Sequence, residues 1–225
     1  MIPAESRRRS PAAVARALAS CTSGLAMIEF AFALPVLLTL SMVGVEVSHY
    51  AMANLRVSNI AVMTADNAAR VRDTIDEADV VELLTGAKMT GAEIDFARHG
   101  RIILSSVEPN TAGHDDASTG QWIRWQRCDG AEHVDSAYGD EGTGEDDASL
   151  QSVGSPNPIA AAPGTAVMLV EVDYDYQPLL GGDILAGRRI HYESAFNVRQ
   201  RTNQVLANAS SLSNAQKRTC DHFQA

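Results

Sequence analysis

Between Gly24 and Glu46 the chain carries an apolar run, Leu25 to Val45, interrupted by a single charge, Glu29. A carboxylate inside such a run costs about 3 kcal/mol unless something pairs with it, so it is a functional candidate by default. Counted from the residue after Gly24, Glu29 is the fifth, close enough along a helix to meet a cation at the start of the run. Elsewhere the residues that could do chemistry are scattered. The sequence has no P-loop, no G-x-S-x-G and no H-E-x-x-H pattern. Its histidines, His49, His99, His114, His133, His191 and His222, lack ligand spacing. His114 beside Asp115 and Asp116 comes nearest to a metal cluster and reads as a polar turn, because zinc generally needs three or four protein ligands. An enzyme is disfavoured, and no cofactor or metal is expected.

The apolar run must be held somewhere. About 20 apolar residues at 1.5 Å rise cross a hydrocarbon core of about 30 Å, so residues 25–45 are expected to span a membrane. Pro35 lies inside the run. Lacking an amide donor, it either kinks or opens the helix, or is tolerated where neighbouring groups satisfy the freed carbonyl. Residues 1–24 carry four arginines, Arg7, Arg8, Arg9 and Arg16, against Glu5, a net +3, so the chain's -10 leaves -13 beyond Gly24. Basic residues ahead of the run favour a cytoplasmic N-terminus, with the acidic bulk on the far side. An acidic domain is a poor nucleic-acid binder, since polyanion affinity depends on clustered Lys and Arg.

The stretch Gly24-Leu-Ala-Met-Ile-Glu29-Phe30, with its upstream arginines, resembles the class III signal of the type IV pilin superfamily. The longer GLAMIEFAFALPVLL, followed by a polar helix ending in Ala68-Ala69-Arg70, resembles more narrowly the TadE-like minor pilins of tight-adherence pilus systems, over roughly the first third of the chain. The resemblance implies that a prepilin peptidase cuts between Gly24 and Leu25 and that Glu29 and Phe30 serve assembly. It also implies a break at Pro35. Its implied partners are the inner membrane, the peptidase, other major and minor pilins and the assembly platform. The protein would be single-pass, with a cytoplasmic N-terminus and a periplasmic domain, or reside in the extracellular pilus. A signal-anchored periplasmic binding or scaffold domain is the alternative. An exported, cleaved signal peptide fits less well, because the run exceeds an h-region of about 7 to 15 residues. With the cut in place Cys21 leaves with the leader, and Cys128 and Cys220 remain as an even pair in a disulfide-permissive compartment, expected to be bridged.

Periodicity supplies the rest of the organisation. Residues 1–24 read as a leader with a short helical stretch near Ala12 to Ala19, residues 25–45 as the spanning part of a long helix, and residues 46–225 as an extracytoplasmic domain. Val47, Met52, Leu55, Ile60 and Met63 carry the helical pattern on to Arg72, giving one helix of about 72 Å. Thr74-Ile-Asp-Glu77 has capping-box spacing and should start a short helix through Val80, Val81 and Leu84, ended by Gly86. Four strands follow: Arg101 to Val107, Gln121 to Cys128, Ala166 to Tyr176 and Arg188 to Val198, with Gly181-Gly182 marking a turn before the last. In the second, alternation puts Ile123 and Trp125 on one face and Trp122 and Arg124 on the other, a core face backed by a cation-π surface or subunit contact. In the third, Met168, Val170, Val172, Tyr174 and Tyr176 oppose Glu171, Asp173 and Asp175. In the fourth, Ile190, Tyr192, Phe196 and Val198 share a face. Helix then strands gives an α+β, pilin-like fold in which the outer half of the long helix covers a mainly antiparallel four-stranded sheet, a meander being the simplest topology. Residues 129–150, rich in Asp and Glu without Lys or Arg, read as a solvated acidic loop whose spacing fails the EF-hand pattern.

Overall fold

The structure is a computed structural model that describes residues 10–20, 23–110, 120–180 and 187–224. Arg7 to Arg9, Cys21, the His114 to Asp116 cluster and the Gly181-Gly182 turn lie outside the described residues. Four α-helices, α1 (Pro11–Ala19), α2 (Ser23–Arg70), α3 (Glu77–Thr90) and α4 (Phe96–His99), precede four strands, β1 (Gly100–Pro109), β2 (Gln121–Asp129), β3 (Val167–Asp175) and β4 (Arg189–Asn197). The chain divides into two compact units, residues 1–47 and 48–225.

In the first unit, Ser10 caps α1 by accepting from the Ala13 amide at 3.3 Å, and Pro11 takes the first helical position, where a missing amide costs nothing. Helix α2 runs unbroken through Pro35. In the following turns the Thr39 and Ser41 hydroxyls donate to the carbonyls of Pro35 at 2.8 Å and Leu37 at 2.7 Å.

The second unit is α+β. From Ser48 onward, α2 buries Ala53, Val57, Ile60, Ala61, Ala65, Ala68 and Ala69 at helical spacing in the core it shares with the sheet. Helix α3 starts two residues later than its sequence suggests: the cap is Asp76, whose amide donates to Asp79 at 2.9 Å while its carboxylate accepts from Ala78. Thr74 is not the cap. Nor does Gly86 end the helix, which continues to Thr90 and stops at Gly91, because one helical glycine costs only about 1 kcal/mol and Ala87 beyond it is buried.

All four strands pair antiparallel in the order β2-β1-β3-β4. This replaces the meander: β1 sits between β2 and β3, because the chain after β2 crosses over the sheet before β3 enters. One face packs on α2, α3 and α4 through Ile102, Leu104, Trp125, Met168, Val170, Val172, Tyr174 and Ile190. The opposite face also carries a core, Val107, Ile123, Val167 and Leu169, roofed by Leu150, Val153 and Ala161 of the crossing segment. One expectation fails here. Ile123 and Trp125 lie on opposite faces, because a bulge leaves Arg124 without a partner between the pairs Ser106 with Trp125 and Val107 with Ile123. Glu171 and Asp173 lie on the face opposite Val170 and Val172, as their alternation in β3 indicates, and a second cover leaves them only 1% and 5% exposed.

After β4 the chain returns as coil across the unit. Arg199 bonds Asp66 at 2.7 Å, Ala207 and Ile75 share a 2.9 Å backbone bond, and the Trp125 indole donates to the Gln204 carbonyl at 3.1 Å. Cys220 then joins Cys128 in a disulfide, and the Cys128 amide donates to the Arg218 carbonyl at 2.7 Å.

Candidate functional site

The segment singled out by sequence lies at the start of α2. Gly24 is its second residue, and a Cβ built there meets nothing within 4 Å, so packing among the described residues does not demand a glycine. Leu25 and Glu29 stand four apart on one helix, hence on one face and separated by about 6 Å of rise. A helical Cα–Cβ bond leans toward the N-terminus, so Glu29 reaches back toward Leu25. Both are exposed, as is Phe30 at 61%. From Gly24 to Val45 every residue is exposed, Met27 and Phe32 to three-quarters of their surface. An 18-residue window here reaches a mean hydropathy of 2.0 with none of it buried. Water is a poor solvent for such a sleeve. Among the described residues α2 is the one helix long and apolar enough to cross a membrane.

The other predicted site residues, Cys128 and Cys220, are brought together by the disulfide. Around them is a set of buried charges that sequence reasoning missed. Arg101, 1% exposed, donates to the carbonyls of Gly130 at 3.0 Å, His222 at 2.8 Å and Cys220 at 2.6 Å. The Phe223 ring lies 4.2 Å from its guanidinium carbon, and His133 stacks on Phe223 at 3.9 Å. Gly130 holds a positive φ of 107°, and a Cβ there would run into the Gly100 carbonyl. Arg127 bonds Glu77 of α3 at 2.7 Å and Glu141 at 2.8 Å, while Lys88 meets the buried Asp129 at 3.1 Å. The acidic segment stays largely at the surface, with Asp135, Asp140, Glu141, Glu145, Asp146 and Asp147 exposed, but it is also tied into the fold. Its carboxylates Asp129 and Glu141 are bound to cations from elsewhere in the fold, and its backbone seals β2: Gln121 donates to Leu150 at 2.7 Å and Ile123 to Thr143 at 2.9 Å.

A second polar cluster lies with Arg101 on the face of the sheet away from the helices. Burial pushes Glu171 above the usual carboxylate range, against the bonds it accepts from Ser136 at 2.5 Å and the Ala137 amide at 2.8 Å. Tyr138 donates to Glu193 at 2.7 Å, and burial, then that carboxylate, push its hydroxyl up to about 12. His191 sits between Asp173 and Glu193, each at 3.0 Å; chiefly the Asp173 bond raises it to about 9. These bonds hold the crossing segment onto the sheet. The alternating acids of β3, next to the apolar Leu150, Val153 and Ile159 in a segment read as loop, were the available signal for a second covered face. No group of three or more His, Cys, Asp or Glu placed to hold a metal occurs among the described residues. Bulged Arg124 bonds Glu108 at 3.2 Å and lies 5.6 Å over Trp122.

No curated protein and no solved structure matches the chain. Residues 24–71, the whole of α2 from the glycine onward, match the family model described as TadE-like protein, and the N-terminal helix of this chain is thus TadE-like.

Proposed function

We propose that the protein is a minor pilin or pseudopilin with a structural rather than catalytic role, matured by a prepilin peptidase between Gly24 and Leu25 and acting in assembly or priming of a tight-adherence type IV pilus. The TadE-like match over residues 24–71, falling on an apolar helix that begins with an unconstrained glycine and carries one carboxylate, is the observation on which the reading stands. Cleavage would create an ammonium at Leu25 beside the helix's own unpaired amides, one turn from Glu29. An unpaired charge in lipid is costly, whereas a paired one with satisfied bonds is tolerated. Glu29 of the same or a neighbouring subunit would supply that partner and set the register in which the helix enters an assembly. The arginine-rich leader would remain on the cytoplasmic side, with the acidic unit in the periplasm or pilus.

Co-expression of the full chain with and without a prepilin peptidase, followed by intact-mass measurement, tests the first step. The expected product begins at Leu25, and Gly24→Arg should leave a membrane-held precursor. Recovery of the intact chain in the presence of the active peptidase would favour the signal-anchored scaffold instead.

A further inference from the structure

The two edges of the sheet are treated differently. On β2 the outward backbone groups are occupied by Leu150, Thr143 and Arg218, by the Glu141 side chain on the Gln126 amide at 3.0 Å, and by the Gly142 amide on the Ile123 carbonyl at 2.7 Å. On β4 nothing comparable occurs among the described residues. Bonds from Tyr176 to Arg188 and from Val198 to Ala166 show that the even-numbered residues of β4 face β3. In an antiparallel ladder the alternate residues then direct N–H and C=O away from the sheet: Arg189, His191, Glu193, Ala195 and Asn197. This edge is nine residues long, keeps an unbroken register with β3, and has no proline, lysine or bulge; its charged residues are Arg189, His191 and Glu193. Beside it runs a groove of about 340 Å³ between Glu193 to Ala195 and the segment at Gly154, Ser155, Asn157 and Ile159.

We infer that β4 is an interaction edge whose partner is β4 of a second copy, paired antiparallel about a twofold axis through Tyr192. The side chains choose both partner and register. With Tyr192 opposite the partner's Tyr192, the partly exposed His191 comes beside the partner's Glu193, whose carboxylate is mostly buried and also held by Tyr138 and Ser155, and the reverse, so that two opposite charges neighbour each other across the seam on one face. Arg189 falls opposite the partner's Ala195, next to the partner's groove. Shifting one way sets Glu193 against itself, and shifting the other way sets His191 against itself; both place like charges directly opposite. Four residue pairs would exchange about eight backbone hydrogen bonds and join two sheets into one. The pairing is isologous and closes, so it yields a dimer. It does not depend on leader cleavage and would form in the unprocessed chain as well.

The register makes a sharp test. Tyr192 forms a non-hydrogen-bonded pair with its own copy, where Cα atoms approach to about 4.5 Å, a separation a disulfide can bridge. In the full chain, in membranes and on a Cys21→Ser background, Tyr192→Cys should give a covalent homodimer on mild oxidation, while Asn197→Cys should not. Closure of Cys128–Cys220, checked by thiol counting, confirms that the variant has folded. Ala195→Pro removes an outward amide without touching the β3 ladder. It should abolish the cross-link and convert the detergent-solubilised full chain from dimer to monomer by light scattering, with Ala195→Val still dimeric. A folded Tyr192→Cys that stays monomeric, captures a different protein, or cross-links equally with Ala195→Pro overturns the inference. Should Tyr192→Cys fail to fold, the light-scattering comparison decides alone: a mass unchanged by Ala195→Pro overturns it.

Discussion

Arg127 shows how a single side chain can hold two layers together. Its guanidinium binds Glu77 of α3 from the helix-facing side of β2, and both side chains are at least nine-tenths buried. Breaking such a pair by removing one member leaves an uncompensated buried charge, so Arg127→Met should lower stability by about 3 kcal/mol or more, whereas Arg127→Met with Glu77→Leu should recover much of the loss. Denaturant titration of the four members of the cycle measures this. His191 makes a pH prediction. Its folded value of about 9 lies above the ordinary 6.5, so its stabilising contribution is fully present below about pH 6.5 and is lost as pH rises toward 9. Thermal midpoints should fall across that window in the wild type and fall less in His191→Gln. At Glu29 the expected effect is functional: Glu29→Ala should be processed normally yet assemble poorly, and normal piliation by this variant would refute the pairing role.

The four strands and the extent of helix α2 could be read from the sequence because their periods are local, two residues in Met168 to Tyr174, but the buried face of α2 could not: of Val47, Met52, Leu55, Ile60 and Met63 only Ile60 is buried, and Ala53, Val57, Ala61, Ala65 and Ala68 make the face instead. What could not be read depends on which distant segment arrives. The bulge at Arg124 appears only once β1 sets the register of β2, and Glu171 and Asp173 look solvent-facing until Ser136, Ala137 and His191 are brought to them. Cys128 and Cys220 could be paired from their number and expected compartment, but the accompanying Arg101 and Phe223 contact could not. The disulfide closes a loop of 92 residues. By the chain-entropy relation Cys220→Ser should cost about 4 to 5 kcal/mol, read as the difference in denaturation midpoint from the oxidised protein and matched by adding a reductant to the wild type. At Gly130, the clash with the Gly100 carbonyl makes Gly130→Ala strongly destabilising on the same assay.

The chain has an arginine-rich N-terminal segment, an apolar stretch of α2 exposed along its length, and a sheet whose two faces both carry a core. The TadE-like match ends at residue 71, so most of the second unit, with its second roof and open β4 edge, belongs to the part of the chain that the match leaves unaccounted for. The coil after β4 has a consequence for how this protein must be made. Arg199 anchors at α2, Ala207 at the start of α3, Gln204 under Trp125, and Phe223 over Arg101, so the far end of the polypeptide completes contacts begun near the near end. Under the proposed topology, a chain whose last segment is still in the translocation channel would present the Cys128 end of β2 unsealed, Arg101 uncovered and the start of α3 without its Ala207 bond, and so be an easier target for periplasmic proteases. Only delivery of the last few residues would make the exported domain resistant.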